Sequence, residues 1–417
     1  MKKIFILGAS ALQVPAIKKA KEKGLYVYAL DYDPEAVGIK EADEFLCIST
    51  IDKEAVLEAA KEKNPDYIIT STSDMPVRTV SWVNEQLGRK NDISFENAIC
   101  ATDKAAMRRR MKECGVPIPK FYEIFNERDF IEAVGKLGDR FVCKPADNAA
   151  SRGVVLVDQK EIALKAGKDI EVELLKIYEY TKEYSRSGEV LLEEFMEGPE
   201  VSVESFTVNG ETHIITITDK MVTEIPFFVE TGHTEPSRLP SDVKEDIMRV
   251  AEAAIKAVGI ENGPSHTEIK ITKDGAKLVE IAARLGGDFI TSKLVPLSTG
   301  VDLIDCCLSS TLNEEVKWQS EKNCGSAIRF LFAKEADNFD EKKNGDDLII
   351  SGIEGVEEAS KMPGVIEVII YKKTGDKATK LTNSGDRWGH VIAEGKDADD
   401  AAKKAEAATA KIRFIIS

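Results

Sequence analysis

The sequence has few histidines, no paired cysteines and no long apolar run, and each shortage excludes a class of protein. Four histidines in 417 residues are too few and too dispersed to supply a zinc site. The seven cysteines include no C-x-x-C pair, which favours reduced thiols in a cytoplasmic protein. No apolar run approaches the length of a membrane span, so we expect no membrane partner.

An excess of positive charge is also missing. The chain carries 57 Lys and Arg against 73 Asp and Glu, which gives a formal net charge of −16. Because no basic stripe offsets this charge, the main contribution to nucleic-acid affinity is absent and we expect no nucleic-acid partner. ATP needs only a local cationic pocket, so its binding remains compatible with the composition.

The N-terminal segment lacks the glycines of a dinucleotide-binding loop. Lys2 to Leu7 is typical of a buried strand, Gly8 opens a tight turn, and Val14 to Lys23 has the pattern of an amphipathic helix. Strands and helices alternate up to about residue 100, which predicts a parallel, doubly wound, Rossmann-like α/β domain. Asp31 stands where such folds keep a ribose-binding acid, but a single glycine replaces the three of G-x-G-x-x-G. NAD or FAD binding is therefore not expected.

The opening MKKIFILGASALQV also has the outline of a secretory signal with a small-residue cleavage site. Its apolar run IFILG is short and continues directly into the strand, turn and helix pattern. This continuity favours a folded N-terminus over a signal segment.

Two glutamates are predicted to face each other across a hairpin in the segment from Gly263 to Asp288. Two alternating strands flank the turn signal Lys273-Asp274-Gly275. With the turn centred on Asp274, Glu268 lies opposite Glu280. The side-chain period of two then places on their face His266, Lys270, Ala282 and Arg284. The opposite, core-facing side is predicted to carry Ile269, Val279 and Ile281.

Such a pair of like charges needs compensation, because the repulsion costs roughly 0.2–1 kcal/mol even when exposed. Carboxylate oxygens suit Mg²⁺, which leaves its other positions to water and substrate phosphates. Arg284, one pleat further along, is a fixed cation placed where a phosphoryl group could lie. The alternative is a solvated hairpin whose glutamates pair with Lys270 and Lys277.

Two lysines earlier in the chain stand at positions suited to phosphate. Thr102 is predicted to cap a helix from Asp103 to Cys114 with Lys104 in its first turn, where the helix dipole disfavours a cation unless an anion is near. Lys144 ends a short apolar strand and is expected to point into a cleft. The small residues from Asp147 to Val154 then form a loop whose backbone N–H groups can cover a phosphate.

The remaining candidates lie in turns at strand ends. Glu193 and Glu194 end an apolar strand and suit an adenine amino group, and Glu200 suits a ribose hydroxyl; an exposed acidic turn is the alternative. The turn-rich stretch from Phe227 to Leu239 holds Glu230, His233 and Arg238. In the last hundred residues, which read as a small α+β cap, Arg329 and the turn from Asn383 to Arg387 are expected to face the cleft.

Taken in chain order, these elements resemble the ATP-grasp superfamily, and the resemblance covers the whole chain. The stretches Phe228 to His233 and Arg284 to Asp288 look most like the L-amino-acid ligases within it. The resemblance implies a Rossmann-like domain over residues 1–100, an ATP-grasp domain over 101–315 with a mobile lobe at about 121–187, and a C-terminal α+β domain over 316–417. Members of this kind are often homodimers.

The resemblance also implies a role for each site residue. The ATP-binding set is Lys104, Lys144, Ser151, Gly153, Glu193, Glu194, Phe195, Met196 and Glu200. Glu268 and Glu280 would hold Mg²⁺, with Mn²⁺ as a possible substitute. The residues that would touch substrate or the transferring phosphoryl group are Glu230, His233, Arg284, Gly286 and Gly287. Lys144 and Arg284 would carry the catalytic charge neutralisation.

The function expected from this resemblance is an ATP-dependent carboxylate-amine ligase that forms an amide through an acylphosphate, joining amino acids. The absence of a Ser-His-Asp or Cys-His arrangement agrees with a mechanism that needs no protein nucleophile. One position departs from the family: E-x-N-x-R reads Glu280-Ile281-Ala282-Ala283-Arg284, so an amide that helps to hold a second metal is missing. Two alternatives stay open, a purine-pathway enzyme like phosphoribosylglycinamide synthetase and a nucleotide-binding module without catalysis.

Overall fold

The computed structural model describes residues 1–148, 152–166, 169–223, 228–333, 336–337 and 348–417. Its first segment alternates strands and helices, as the sequence pattern predicts. The elements are β1 Lys3–Leu7, α1 Val14–Glu22, β2 Tyr26–Asp31, a 3-10 turn Ile39–Glu41, β3 Glu44–Cys47, α2 Lys53–Lys63, β4 Tyr67–Thr70, α3 Met75–Gln86, α4 Phe95–Cys100 and α5 Lys104–Glu113.

These strands form a parallel sheet that is covered on both faces. The strand order is β3-β2-β1-β4, with every pairing parallel. Ile4 and Ile6 of β1 pack with Ile17 of α1, whereas Phe5 packs on the other face with Val56 of α2. Successive strand residues point to opposite faces, so a continuous apolar strand must be covered twice. The doubly wound α/β arrangement is confirmed.

The next segment forms a small antiparallel sheet with its own core. Its elements are β5 Phe121–Ile124, α6 Glu127–Val134, β6 Arg140–Pro145, β7 Val155–Asp158, α7 Gln159–Ala166, α8 Ile170–Glu183 and β8 Val190–Glu194. The strand order is β5-β8-β6-β7. Phe130 of α6 and Tyr178 of α8 lie 5.2 Å apart between ring centroids and pack together over Phe141 of β6.

A large antiparallel sheet begins after this lobe. Its elements are β9 Glu200–Val208, β10 Glu211–Val222, β11 Glu230–Glu235, α9 Ser241–Val258, β12 Gly263–Thr272, β13 Gly275–Ala282, a π-helix Ile290–Leu294, α10 Val295–Thr299 and α11 Leu303–Leu312. Helix α9 buries Ile247, Val250, Ala254 and Val258 on one face, the spacing of an amphipathic helix. It ends where Gly259 takes φ +74, a conformation that costs glycine little.

Strands of the C-terminal segment extend the same sheet. The elements are β14 Gly325–Leu331, β15 Ala336–Asp337, β16 Ile350–Glu354, α12 Val356–Ser360, β17 Val365–Ile370, a 3-10 turn Ser384–Asp386, β18 Gly389–Gly395, α13 Ala398–Thr409 and β19 Arg413–Ile416. The full order is β13-β12-β9-β10-β11-β14-β18-β17, while β15, β19 and β16 form a separate sheet. The C-terminal α+β segment is thus built directly onto the sheet that carries the glutamate hairpin.

The hairpin has the predicted pairing of Glu268 with Glu280 but reaches it by a different route. The turn is tighter than predicted, with Thr272 paired to Gly275, and an irregularity between Glu268 and Ile269 restores the register. The prediction that Val279 lies in the core was therefore wrong. Leu278 pairs with Ile269 instead, and both are fully buried while Val279 is only partly buried. A β-bulge adds one residue to one strand, which no alternating pattern can show.

The predicted cap of α5 was also wrong by one residue. Asp103, not Thr102, accepts a hydrogen bond from the Ala106 N–H. The Thr102 hydroxyl donates to the Ala98 carbonyl oxygen at 2.7 Å. Both residue types cap helices well, so the choice depends on the preceding turn of chain. None of the helices that the structure describes is long and apolar enough to cross a membrane.

The bulge predicts unequal effects of two neighbouring substitutions. We expect Leu278→Ala to lower the free energy of unfolding by roughly 2–5 kcal/mol, because it opens a cavity in the core. Val279→Ala, which removes a partly buried side chain, should cost less than about half of that. Urea unfolding of both variants measures the difference. Equal losses would mean that the two side chains are equally buried and would contradict the bulge.

Candidate functional site

The two facing glutamates are each held by a lysine. Lys220 of β10 places its Nζ 2.7 Å from Glu268 Oε1, and Lys104 of α5 places its Nζ 2.8 Å from Glu280 Oε1. Burial would raise the pKa of Glu268, but Lys220 and His266 hold it well below its usual range. Glu268 therefore carries its charge, and the two lysines supply the compensation that the pairing requires.

Lys220 links three acidic side chains. Besides Glu268, its Nζ lies 2.6 Å from Glu200 Oε1 and 3.7 Å from Glu230 Oε1. Its side chain is only 4% exposed. Burial alone would lower the pKa of Lys220, but these glutamates raise it well above the usual value. Lys270 adds a second cation at 3.3 Å from Glu200 Oε2, so the positions predicted for ribose and metal share one charged network.

Lys144 lies beside a buried ion pair at the base of the lobe. Its Nζ is 2.6 Å from Glu193 Oε2, and Arg108 donates to both Glu193 oxygens at 2.6 and 3.1 Å. Burial would raise the pKa of Glu193, but Arg108 and Lys144 lower it to about 2. Burial also lowers the pKa of Lys144. Glu193 acts to raise this pKa, whereas Arg108 lowers it further. The Glu193 carboxylate is thus fully engaged by cations.

The predicted adenine segment follows directly. Glu194 ends β8 and is held by Lys277 of β13 at 2.6 Å. Phe195, Met196 and Glu197 continue as irregular chain toward β9, and Phe195 stacks on the Arg140 guanidinium at 4.3 Å. Lys277 thus pairs with Glu194 in the segment predicted for adenine, whereas the surface-pair alternative had assigned it to the facing glutamates.

Part of the predicted phosphate loop lies outside the described residues. Ser151 is not among them, whereas Gly153 is described with φ +76. A Cβ at Gly153 would lie 2.5 Å from Tyr184 Cβ. Only glycine fits both this conformation and this contact. The loop end is thus fixed against α8, and Lys104 reaches the preceding Asn148 carbonyl oxygen at 2.8 Å.

Arg284 is fixed from the N-terminal domain. Its Nε donates to Asp74 Oδ1 at 2.6 Å. Burial would lower the pKa of Arg284, but Asp74 raises it above the usual value. Gly286, two residues on, packs against a buried pair in which His266 Nδ1 lies 2.5 Å from Glu204 Oε1. A Cβ at Gly286 would come within 2.8 Å of both partners, and Gly287 follows in an open position.

Two of the predicted substrate residues, Glu230 and His233, lie in the first four residues of β11, beside Asp288 and Arg387. Arg387 donates to both Asp288 oxygens at 2.8 and 2.9 Å and to Glu230 Oε2 at 3.3 Å. His233 Nε2 lies 3.4 Å from Asp288 Oδ2. Burial would raise the pKa of Asp288, but His233 and Arg387 lower it far below its usual range. Arg387 itself lies over the Phe330 ring at 3.7 Å, so its guanidinium group is held by two acids and an aromatic face.

Of the two C-terminal regions predicted to face the cleft, one does so. The turn from Asn383 to Arg387 contributes Arg387, as predicted. Arg329 does not face the cleft, and that prediction was wrong: it pairs with Glu406 of α13 at 2.9 Å and donates to the His233 carbonyl oxygen. Arg329 lies between Ile328 and Phe330 in β14, and alternation places it on the opposite face from Phe330.

Several functional side chains escaped the sequence reasoning, and some of them left a signal. Arg108 lies four residues after Lys104 and so shares its helix face. Asp74 follows the end of the parallel strand β4, where α/β sheets bind ligands. Lys220 has no local signal of this kind, because it reaches the site only through the pairing of β10 with β9.

The facing carboxylates of Glu268 and Glu280 fit a single Mg²⁺ ion better than a cluster of several metal ions. No group of three or more metal-binding side chains occurs in the part of the chain that the structure describes. Two facing carboxylates in a cationic cleft match Mg²⁺, which takes its remaining ligands from phosphate and water. Ala282 pairs with His266 at the position of the missing amide and contributes no metal ligand.

Glu235, behind these residues, is a buried carboxyl without a cationic partner in the described ranges. It accepts hydrogen bonds from Thr218 Oγ1 at 2.8 Å and Ser298 Oγ at 3.0 Å. Glu235 is 0% exposed. Burial raises its pKa to about 8, although the hydrogen bond from the Thr218 hydroxyl acts to lower it. The neutral form is therefore favoured in the folded state.

Comparison with known protein families gives two matches along the chain. An ATP-grasp domain matches residues 137–292, and the L-amino acid ligase C-terminal domain 2 matches residues 349–417. The first match contains the lobe from β6 onward and the glutamate hairpin. The second contains the turn that supplies Arg387.

Two proteins of similar sequence are ligases. The chain is 31% identical over 238 residues to alanine–anticapsin ligase of Bacillus subtilis, covering 52% of this chain and 48% of that protein. Phosphoribosylamine–glycine ligase of Methanocaldococcus jannaschii is 25% identical over 453 residues, with 99% and 94% covered. Four of the matched relatives, including the alanine–anticapsin ligases, are spanned over only 48 to 56% of their own length.

The fold as a whole is that of solved ligase structures. An L-amino acid ligase from Bacillus licheniformis superposes with a TM-score of 0.79 at 20% identity, over 100% of this chain and 98% of that one. This likeness extends through all the sheets described above. At such low identity it supports the fold alone.

The buried acid Glu235 predicts a pH dependence of stability. Its folded pKa of about 8 exceeds the ordinary 4.5, so the folded state keeps a proton that the unfolded state releases. The free energy of unfolding should therefore fall as pH rises from about 4.5 to 8, by up to roughly 4 kcal/mol. Glu235→Gln should remove this fall. Glu211→Gln, at an exposed position, should retain it; identical profiles for wild type and Glu235→Gln would contradict the shifted pKa.

Proposed function

We propose that this chain is an ATP-dependent ligase of the ATP-grasp superfamily, which joins a carboxylate to an amine with amino acids as the substrate class. The observation that carries the proposal is the pair of facing carboxylates, Glu268 and Glu280. They lie in one cleft with Lys104 and Lys220 within 2.8 Å and with Arg284 beyond them. Such a cleft suits a metal-bound triphosphate.

We assign the nucleotide to the groove between the lobe and the large sheet. Lys104 and Lys144 would neutralise phosphate oxygens, while the loop that contains Ser151 and Gly153 would cover them. Because cations occupy both oxygens of Glu193, the chain from Glu194 to Met196 is the better candidate for adenine. Glu200, held between Lys220 and Lys270, is oriented to accept a ribose hydroxyl.

Glu268 and Glu280 would hold Mg²⁺, and Mn²⁺ is expected to replace it. When bound, the ion would neutralise charge on the phosphates and hold them in line for transfer. With Ala282 in place of the amide, these two carboxylates are the protein ligands that we propose. Lys104 and Lys220 would then turn from the glutamates toward the phosphate oxygens.

The reaction that we propose has two displacements. A substrate carboxylate oxygen attacks the γ-phosphorus of ATP, the bond to ADP breaks, and an acylphosphate forms. The amine nitrogen then attacks the acyl carbon, loses a proton and expels phosphate, which leaves an amide. Lys144 and Arg284 would stabilise the charge that develops during transfer by their fixed positions.

The substrates would lie between Arg284 and Arg387. The main-chain N–H groups of Gly286 and Gly287 and the two guanidinium groups suit a carboxylate, whereas Glu230 suits an ammonium group. His233 would orient the Asp288 side chain. Closure of the lobe at about 121–187 over the cleft would exclude water and protect the acylphosphate.

The wider assignments are proposals of the same kind. We propose domain boundaries near residues 100 and 315, and the change from the parallel sheet to the antiparallel ones supports the first of them. We further propose a cytoplasmic protein, a homodimer, and small molecules as its only substrates. A second candidate, a ligase like phosphoribosylglycinamide synthetase, is favoured by the near full-length match to phosphoribosylamine–glycine ligase. A nucleotide-binding module without catalysis is the third and is favoured by Ala282.

Removal of one facing carboxylate tests the site. We expect Glu280→Gln to lower ADP release by roughly 100-fold or more, because charge neutralisation at the phosphates is lost. The affinity for Mn²⁺ in the presence of ATP, measured by electron paramagnetic resonance, should fall in parallel. Glu211→Gln serves as the control, since Glu211 is exposed at the start of β10. Retained Mn²⁺ binding and turnover in a folded Glu280→Gln protein would reject the metal assignment.

A substrate screen separates the candidate functions. With Mg²⁺ and ATP, we expect some pair of amino acids to release phosphate and give a product whose mass is the sum of the two minus water. Hydroxylamine should convert the acylphosphate of the first amino acid into its hydroxamate. Phosphate release only with phosphoribosylamine and glycine would favour the purine-pathway alternative. Nucleotide binding without any turnover would favour the nucleotide-binding module without catalysis.

A further inference from the structure

A cavity of about 540 Å³ lies apart from the residues assigned to the nucleotide and substrates. It is bounded by β4 and α3 of the parallel sheet domain, by the segment from Arg89 to Ile93, by the start of β12, and by α11. This volume is within the range of small-molecule sites. Nothing in the proposed reaction uses it.

One wall of the cavity is an open sheet edge. Strand β4 stands at the end of its sheet and pairs only with β1 among the described strands. Tyr67, Ile68, Ile69 and Thr70 of β4 all line the cavity. The outer backbone groups of an edge strand can pair with an extended peptide.

Three polar side chains on the walls, those of Asn84, Arg89 and Asp92, keep hydrogen-bonding atoms without a partner in the described parts of the chain. Arg89 uses Nη2 on the Pro65 carbonyl oxygen at 2.5 Å but leaves Nη1 buried and unsatisfied. Among the described residues, no hydrogen bond is made by the side chain of Asn84, which is 8% exposed, or by that of Asp92, which is exposed at the cavity rim. A buried donor without a partner is costly, and a ligand that pairs with it would relieve that cost.

We propose that this cavity binds a short zwitterionic peptide of two or three residues. Arg89 would meet its carboxylate, Asp92 its ammonium group and Asn84 a peptide group, while the backbone of β4 would pair with its main chain. The apolar side chains of Val77, Val80 and Ile93 suit small neutral side chains. The inference rests on the cavity and stands whether or not the proposed ligase reaction is correct.

Helix α3 connects the cavity to the cleft. Val77, Val80, Ser81 and Asn84 line the cavity with the spacing of one helix face. Asp74, immediately before the same helix, holds Arg284 at 2.6 Å. The proposed peptide site and Arg284 are thus in contact with the same helix or with the residue that precedes it.

The first test measures binding of L-alanyl-L-alanine to the full chain by titration calorimetry in the absence of ATP. N-acetyl-L-alanyl-L-alanine amide keeps both alanine residues and their peptide group without the terminal charges and is the matched compound. We expect the dipeptide to bind and the amide to bind at least about tenfold more weakly, because charged hydrogen bonds are the stronger ones. Equal affinities, or no dipeptide binding at millimolar concentration, would overturn the proposal.

Three variants locate the binding. Arg89→Met and Asp92→Asn should each weaken dipeptide affinity by roughly tenfold, and two variants keep the test decisive if one of them fails to fold. Arg128→Met is the control, since Arg128 is exposed and pairs only with Glu132 in the described chain. Affinities unchanged in both cavity variants would place the dipeptide elsewhere and reject the site.

Hydrogen exchange distinguishes the cavity from the cleft. Backbone amides of residues 66–70 should exchange more slowly with L-alanyl-L-alanine present, because the edge strand gains a partner. This protection should persist in Glu280→Gln and be lost in Arg89→Met. Protection confined to the glutamate hairpin would show that the dipeptide enters the cleft and would contradict the inference. Failure of the ligase reaction leaves these outcomes unaffected.

Discussion

The structure depends on the compensation of like charge across one strand pair. Glu268 and Glu280 face each other on neighbouring strands, and each carboxylate is matched by a lysine from a different element, Lys220 from β10 and Lys104 from α5. Isolated ionised groups are too costly to bury, so they persist only in mutual contact. This requirement draws the helix, the large sheet and the lobe toward one cleft.

The same principle extends along the whole cleft. Arg108 and Lys144 hold Glu193, Asp74 holds Arg284, and Arg387 holds Asp288. Each of these cations, which suit a phosphate or a carboxylate, is thus already matched by an acid of the chain. A ligand that brings its own negative charge and a divalent cation would exchange these partners without leaving a net charge buried, which is the electrostatic basis for the proposed ligase.

The Ala282 position shows how a local change is accommodated by its surroundings. On the paired strand, His266 lies opposite Ala282, and its Nδ1 is 2.5 Å from Glu204 Oε1. Burial alone would lower the pKa of His266, but Glu204 and Glu268 raise it to about 9. A cation therefore stands beside Glu268 where an amide ligand is missing. Gly286 packs closely on this pair, so the proposed metal and substrate residues share one support.

What the sequence determined by itself was the set of local patterns: a doubly wound N-terminal sheet from alternating elements, the pairing of Glu268 with Glu280 from strand alternation and a turn signal, and cations at strand and helix ends. These follow from periodicity and short-range chemistry. Only the tertiary structure decided the bulge that buries Leu278 in place of Val279, the face of Arg329, and the arrival of Lys220 and Asp74 at the site. Those features depend on which distant strands pair and on where buried charges find partners, and neither is encoded within a single local stretch of chain.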